Sequence, residues 1–464
     1  MAATTTRPAP MDTRVAVGLG GTLIGVTFTV LGLLLLVSLR MSGLPVALFL
    51  TPVLLAASWP AFVRQARRER DGRLAQLLML ALCLKLAGSL VRYWVALFVY
   101  DGFADALMYH DYGTNIALRF RAGEFSTGLD SLSGTDFIRF FTGLVYTVTG
   151  SSVYAGFLLY SWLAFWGMYF MYRAFVLAVP DGNRRSYARL LFFLPSMLYW
   201  PSSIGKEAWM LFTLGLAAYG TARALTGRPW RGVALAGAAL WLGALVRPHV
   251  TGMAALGLVV AYLVARPPRR LGALGPVMKL VALVAVVAVA GLLLGQTSSY
   301  LKEKGIDPQD GVHSVLAESA RRTGQGGSSF AAPSAISSPA KLPLAVVTIL
   351  FRPFPFEAHN AQVAVTALES TLLLCLAISR RRGIWQALRH PRRRPYVAFV
   401  AVYSLLFIYA FSSIANFGIL ARERTQLLPF FLVLLAIPAA RRGPAQPRRN
   451  QQGRVDAGRQ LARA

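Results

Sequence analysis

Residues 101–125, DGFADALMYHDYGTNIALRFRAGEF, gather Asp101, Asp105, His110, Asp111, Arg119, Arg121 and Glu124 in a chain that is only 14% charged. Asp105 and Tyr109 stand four apart, one helical turn, which puts a carboxylate and a phenol on one face. A carboxylate in such a segment suits general-base chemistry, in which it takes the proton of a hydroxyl that is becoming a nucleophile. Asp111 offers the same chemistry six positions later, and the stretch closes on Gly123-Glu124-Phe125.

A second set of residues is cationic. It comprises Lys206 in PSSIGKE, Arg247 in LVRPHV, Arg352 in FRPFPFEAHN, and Arg422 and Arg424 in ILARERTQ. Arginine matches phosphate oxygens bidentately and lysine supplies a point charge, so these groups at one surface would suit a phosphate or diphosphate. The plainer alternative is local pairing, Lys206 with Glu207 or Arg422 with Glu423. For Asp105 it is a carboxylate favoured by a helix N-terminus.

Histidines offer less. His110, His249, His313 and His359 fall in or beside the polar loops and His390 in a basic linker, and no HxxxH or HExxH spacing occurs. His110 beside Asp111, and His359 near Glu357, leave a divalent cation as an open expectation and predict no dedicated metal site. Cys83 and Cys375 both lie in apolar runs, which excludes a disulfide framework. Walker-type loops and GxSxG elbows are absent, which argues against an ATP-driven pump.

The elements that must position these residues are apolar helices. Of 464 residues, 55% are hydrophobic, and the mean hydropathy is +0.52. The apolar residues come as separate runs of about 18–25, the length that spans hydrocarbon as a helix, and not as the alternating ten-residue segments of an outer-membrane barrel. The spans lie near 15–38, 44–63, 75–100, 152–178, 187–203, 206–225, 232–247, 249–266, 276–296, 361–379, 396–414 and 423–440. The expected fold is therefore all-α and polytopic, with about twelve transmembrane helices. Two shorter apolar pieces, 137–149 and 342–356, have the length of re-entrant or interfacial helices.

The net charge of +29 would suggest nucleic acid in a soluble chain. Here the basic residues sit in linkers, at 64–73, 181–189, 222–231, 265–270 and 379–394, which all fall on one side if twelve segments span. That side is cytoplasmic by the positive-inside bias, with both termini there and nucleic acid not expected. Residues 1–14 and the basic 441–464 read as disordered tails around a single membrane domain, 15–440. The loops 101–136, 297–341 and 352–360 fall outside, on the same side as the five unexpected cations. Within the spans, Lys85, Arg92 and Glu369 are further ionisable groups. A transporter would use such residues, and Lys85 and Glu369 are candidates to pair or to bound a polar cavity.

The segment DALMY followed by NIALRFRAGEF resembles the first extracytoplasmic loop of the GT-C-fold membrane glycosyltransferases, the group of the protein mannosyltransferases and aminoarabinose transferases. The shared pattern is an acidic residue, a tyrosine four later, an alanine-bearing amphipathic helix and a Gly-acid-aromatic end. FIRFFTGLVYTVTGSSVYAGFLLYSWLAFWGMYFMYRAF (137–175) continues the likeness, and PSSIGKEAWM, LVRPHV and NFGILARERTQLLPF are similar to bacterial lipid-linked sugar enzymes of the same broad type. The family's Asp-Glu doublet is Asp105-Ala106 here, and no large C-terminal outer domain follows.

The resemblance implies transfer of a sugar from a polyprenyl-phosphate carrier to a glycan or lipid acceptor at the outer face of the bacterial plasma membrane. It implies Asp105 as the base, with Asp111 behind it, and Lys206, Arg247, Arg352, Arg422 and Arg424 around the leaving phosphate. Tyr109, His110, Glu124, Glu207, His249, Glu357 and His359 would then contact substrate. A polymerase or ligase acting on lipid-diphosphate-linked glycans is the first alternative, and a transporter or flippase the second.

Overall fold

A computed structural model describes residues 44–227, 229–265, 329–330 and 338–439. The expected spans at 15–38 and 276–296, both tails, and most of the 297–341 loop with His313 lie outside the described residues. What is described is helical. Its one β-type pairing is an isolated antiparallel bridge between Ser329 and Asn416.

The chain runs through α1 (Leu44–Glu69), α2 (Gly72–Trp94), which continues into a π turn at Val95–Val99, α3 (Asp105–Arg121), α4 (Gly134–Thr149) and α5 (Val153–Ala178). There follow α6 (Arg184–Phe193), α7 (Pro195–Tyr199), α8 (Lys206–Leu225), α9 (Pro229–Ala244) and α10 (Pro248–Val264). The last part holds α11 (Leu342–Phe351), α12 (Ala361–Arg389), α13 (Pro395–Phe411), α14 (Phe417–Arg424) and α15 (Leu428–Leu435). Three helices are long and apolar enough to cross a membrane: Gly72–Val99, Val153–Ala178 and Ala361–Arg389. Three shorter ones, Pro248–Val264, Leu342–Phe351 and Pro395–Phe411, are also apolar.

Two expected spans are broken. The run 187–203 divides at Leu194–Pro195 into α6 and the five-residue α7, and 423–440 holds the end of α14 and the eight-residue α15. Pro195 and Pro429 cannot donate to a preceding turn, so each starts a new helix at its first turn. The short pieces 137–149 and 342–356 do form helices, α4 and α11.

Small residues let the long helices approach. A Cβ on Gly167 of α5 would lie 2.2 Å from the Leu211 carbonyl oxygen, and one on Gly215 of α8 would lie 2.1 Å from that of Gly167. The two helices therefore cross backbone to backbone, the packing small residues permit where lipid gives no hydrophobic drive between helices. This contact sets the height of α8, and so of the Lys206-Glu207 pair at its start.

The ionisable residues inside the spans do not meet one another. Lys85 Nζ donates to the Met197 carbonyl at 2.6 Å, Glu369 Oε2 accepts from the Ser196 amide at 2.7 Å, and Arg92 Nη1 donates to the Tyr199 hydroxyl at 3.0 Å. All three pin α7, whose short backbone needs partners at both ends. Gly88 of α2 completes the seat, since a Cβ there would lie 2.4 Å from the Leu198 carbonyl oxygen. The expectation that Lys85 and Glu369 pair or bound a polar cavity is corrected: each bonds the backbone of α7, and neither lines the large cavity described below.

Candidate functional site

Asp105 is the first residue of α3. The chain reaches it through a tight turn in which Asp101 (φ 47°) and Gly102 (φ 81°) take left-handed conformations that glycine and, less readily, aspartate tolerate. Ala104 is extended and supplies no side-chain cap, so the Asp105 carboxylate is left to reach outward, with its side chain 58% exposed.

It reaches Arg422. Arg422 Nη1 donates to Asp105 Oδ2 at 2.9 Å across 317 positions of sequence, and Arg422 Nε contacts Glu207 Oε1 at 2.8 Å. The same Glu207 oxygen accepts from Arg247 Nη2 at 2.9 Å, and Arg247 Nη1 donates to Glu423, which also accepts from Gln426 Nε2 at 2.8 Å. The result is a chain of alternating charge, Asp105–Arg422–Glu207–Arg247–Glu423, joining α3, α8, the residue before α10, and α14. Lys206 stands beside it with no hydrogen bond or ion pair among the described residues. The local pairs Lys206–Glu207 and Arg422–Glu423 do not form as ion pairs.

Exposure separates the roles. Glu207 and Glu423 are buried and consumed by arginines, and Arg247 is nearly enclosed between them. Asp105 and Arg422 are open to a cavity of about 960 Å³, at the upper end of the usual size for a ligand site. One end of that cavity is charged, with Asp105, Glu207 and Arg422. An apolar side is formed by Val91, Trp94, Val95 and Val99 from α2 and the π turn, Val363 and Val365 from α12, and Ile419 from α14, while Arg92, Ser196, Ser203, Gln362 and Thr366 add polar groups elsewhere in the lining. The Tyr100 hydroxyl, donating to Gln362 Oε1 at 2.9 Å, ties the π turn to the start of α12 at the rim.

Tyr109, one turn beyond Asp105, is buried beneath this network near Gly205. Burial, then the charges of Glu207 and Asp105, push its hydroxyl up to about 12 against the opposing arginines, so it stays a neutral phenol. It supports the site without lining it.

Other expected members lie elsewhere. Asp111 is six positions from Asp105, roughly 240° round the helix, and faces solvent beside His110. His110 Nδ1 bonds the Tyr146 hydroxyl at 2.9 Å; that hydroxyl gives its single proton to the Ser152 carbonyl at 3.1 Å, so His110 is the donor. Burial lowers the His110 pKa, partly offset by Asp111. Glu124 is exposed past the far end of the 17-residue α3, about 26 Å of helix from Asp105. His249 faces a separate hollow of about 330 Å³ with Met253, Phe411, Ser413 and Glu423.

Arg352 pairs with Glu357 and lies over the rings of Phe330 and Phe417, 4.5 and 5.2 Å from their centres. Burial would raise the Glu357 carboxyl, but the Arg352 bond and the Phe354 amide outweigh it and hold it low. His359 is exposed nearby. Arg424 is corrected outright as a phosphate ligand: fully buried, it donates to the carbonyls of Leu350 and Arg352 and to Ser370 Oγ, on the side of α14 away from the cavity. The two expected cation-binding pairs are likewise engaged, His110 with Tyr146 and Glu357 with Arg352. Among the described residues no group of three or more His, Cys, Asp or Glu gathers.

Two cavity residues escape charge-based reading. Asn360 and Asn416 line the cavity and cap α12 and α14, their Oδ1 atoms accepting the Val363 amide at 2.9 Å and the Gly418 amide at 2.9 Å. Asparagine ahead of an apolar run is a capping signal, but it marks a helix start and not a site. Comparison of the chain with protein-family models, with characterised proteins and with solved structures finds no match to any of them, and the reading of this cavity rests on its own residues.

Proposed function

We propose that this chain is an integral membrane glycosyltransferase, spanning the bacterial plasma membrane about twelve times with both termini cytoplasmic. It moves a sugar from a polyprenyl-phosphate-type carrier to a glycan or lipid acceptor at the outer face. The observation that carries the reading is one cavity with an accessible carboxylate and an accessible guanidinium at one end and an apolar side. Along that side Val91 and Trp94 of α2 are each 55% exposed, as a wall that meets an acyl or prenyl chain would be.

In the transfer, the acceptor oxygen forms a bond to the anomeric carbon as the bond from that carbon to the phosphate oxygen breaks. The bonding pair leaves with the phosphate, and the hydroxyl proton passes to the Asp105 carboxylate. Arg422 meets the charge that grows on the departing phosphate, with Lys206 close by. Glu207 and Arg247 do not touch substrate; they hold the Arg422 guanidinium in place. Membrane lipids surround the apolar wall. Pumping or flipping through Lys85 and Glu369 is disfavoured, since both are committed to α7.

The test is transfer of labelled sugar from a polyprenyl-phosphate donor by the purified, reconstituted chain. Asp105→Asn is expected to lower the rate by about 10²–10⁴-fold, the ordinary worth of a general base. Full activity in a folded Asp105→Asn variant would sink the assignment. If Arg422→Ala alone abolishes turnover while Asp105→Asn does not, the polymerase or ligase reading on a diphosphate carrier takes its place.

A further inference from the structure

Arg422 presents its guanidinium in an unequal way. Nε faces the buried Glu207 and is held there at 2.8 Å. Nη1 is bonded only to Asp105, whose side chain is more than half exposed, and Nη2 has no hydrogen bond among the described residues. The edge formed by Nη1 and Nη2 is the one that grips two oxygens of a phosphate at once. Both residues line the cavity. Half of that edge is therefore taken by a weakly held carboxylate, and half of it is open.

Resting on the reading of the cavity as a phosphate-carrier site, we infer that Asp105 and the phosphate of the ligand compete for this edge of Arg422. Phosphate takes Nη1 and Nη2 together and turns the Asp105 carboxylate loose. Glu207 keeps Nε throughout, so the guanidinium does not swing away with either partner. The base is thus released by arrival of the leaving group. A carboxylate tied to an arginine is a poor proton acceptor; once displaced, it stands beside the bond that is about to break. The fixed side of the exchange is visible in burial: Glu207 is 4% exposed, whereas the Asp105 side chain is 58% exposed. An exposed pair of this kind contributes little and yields readily to a dianion or monoester that makes two bonds.

The variant that loses catalysis should then gain affinity. Binding of decaprenyl phosphate to the full-length chain in detergent would be followed by tryptophan fluorescence, since Trp94 and Trp200 line the cavity. Asp105→Asn and Asp105→Ala are expected to bind decaprenyl phosphate about 2–10-fold more tightly than the parent chain. Arg422→Ala should bind it more weakly, and neutral decaprenol should bind all of them alike. Inorganic phosphate is the second arm. The same gain with it supports the competition and assigns it to phosphate alone, whereas a gain confined to the lipid supports it and assigns a lipid headgroup. Unchanged or weaker binding of decaprenyl phosphate in both Asp105 variants overturns the inference. Tighter binding with no sugar transfer by the parent chain would leave the competition standing and sink the glycosyl-transfer reading instead.

Discussion

Glu207 is the residue on which the site's geometry turns, and Glu207→Gln tests that. One of its oxygens accepts from Arg422 Nε at 2.8 Å and from Arg247 Nη2 at 2.9 Å, and the residue is 4% exposed. Glutamine keeps the shape and one carbonyl acceptor but removes the charge. A hydrogen bond to a charged group contributes about 1.5–3 kcal/mol and a neutral one about 0.5–1.5. In the variant the arginines remain charged and only the acceptor becomes neutral, so each bond should lose about 1 kcal/mol. Two bonds then lose about 2 kcal/mol, with the two arginines left facing each other across a weaker partner. Asp105→Asn removes the other carboxylate on Arg422 at a site more than half exposed, where a pair contributes under about 1 kcal/mol.

The two variants should therefore separate in unfolding titrations in mixed detergent micelles, followed by the helical circular dichroism signal. Glu207→Gln should be less stable than Asp105→Asn by about 1–2 kcal/mol. In an Arg247→Gln background, where only the Arg422 bond remains, the cost of Glu207→Gln should fall by about half. Equal destabilisation by the two carboxylate variants, or an unchanged cost of Glu207→Gln without Arg247, would refute the claim that Glu207 is a buried hub.

Gly88→Val should place methyl groups into the Leu198 carbonyl, 2.4 Å from even a bare Cβ, and lift α7 off α2. The expected outcome is lower yield of folded protein and a cost of several kcal/mol, with Gly237→Val, where a Cβ meets nothing within 4 Å, as the tolerated control. His110 supplies a pH dependence. Its folded pKa lies below the ordinary 6.5, so the folded state binds fewer protons than the unfolded one in the window beneath that value. The stability it contributes is full above about 6.5 and is lost as pH falls through the folded pKa. Melting curves from pH 7.5 down to 5 should show a decline that is shallower in His110→Gln, and an identical slope in both proteins would count against the half-buried His110–Tyr146 pair.

How much of the fold and site is legible in the sequence follows from the kind of rule each feature obeys. Apolar runs are local, and they place α2, α5 and α12 as helices of membrane length, although α12 continues into the basic run 379–394 as far as Arg389. Pro195 and Pro429 are local too, and their power to break a helix stands against the continuous runs 187–203 and 423–440. Arg424 is also decidable: two positions along a helix is about 200°, so Arg422 and Arg424 cannot both face one cavity. The pairing of Arg422 with Asp105, 317 positions away, and of Arg247 with Glu423, 176 away, obeys no local rule. Yet a trace of it exists. Lys206 is the first residue of α8 and Arg247 the residue capping α10, both at the positive ends of helix dipoles, where cations are disfavoured. A local preference broken twice, on two helix starts that meet, requires negative charge from elsewhere to offset it. Glu207 and Glu423 supply part of it to Arg247, whereas Lys206 at the start of α8 has no ion-pair partner among the described residues, and Arg422, in the last turn of α14, brings a half-open guanidinium beside that helix start, where backbone amides and cations together suit an anion.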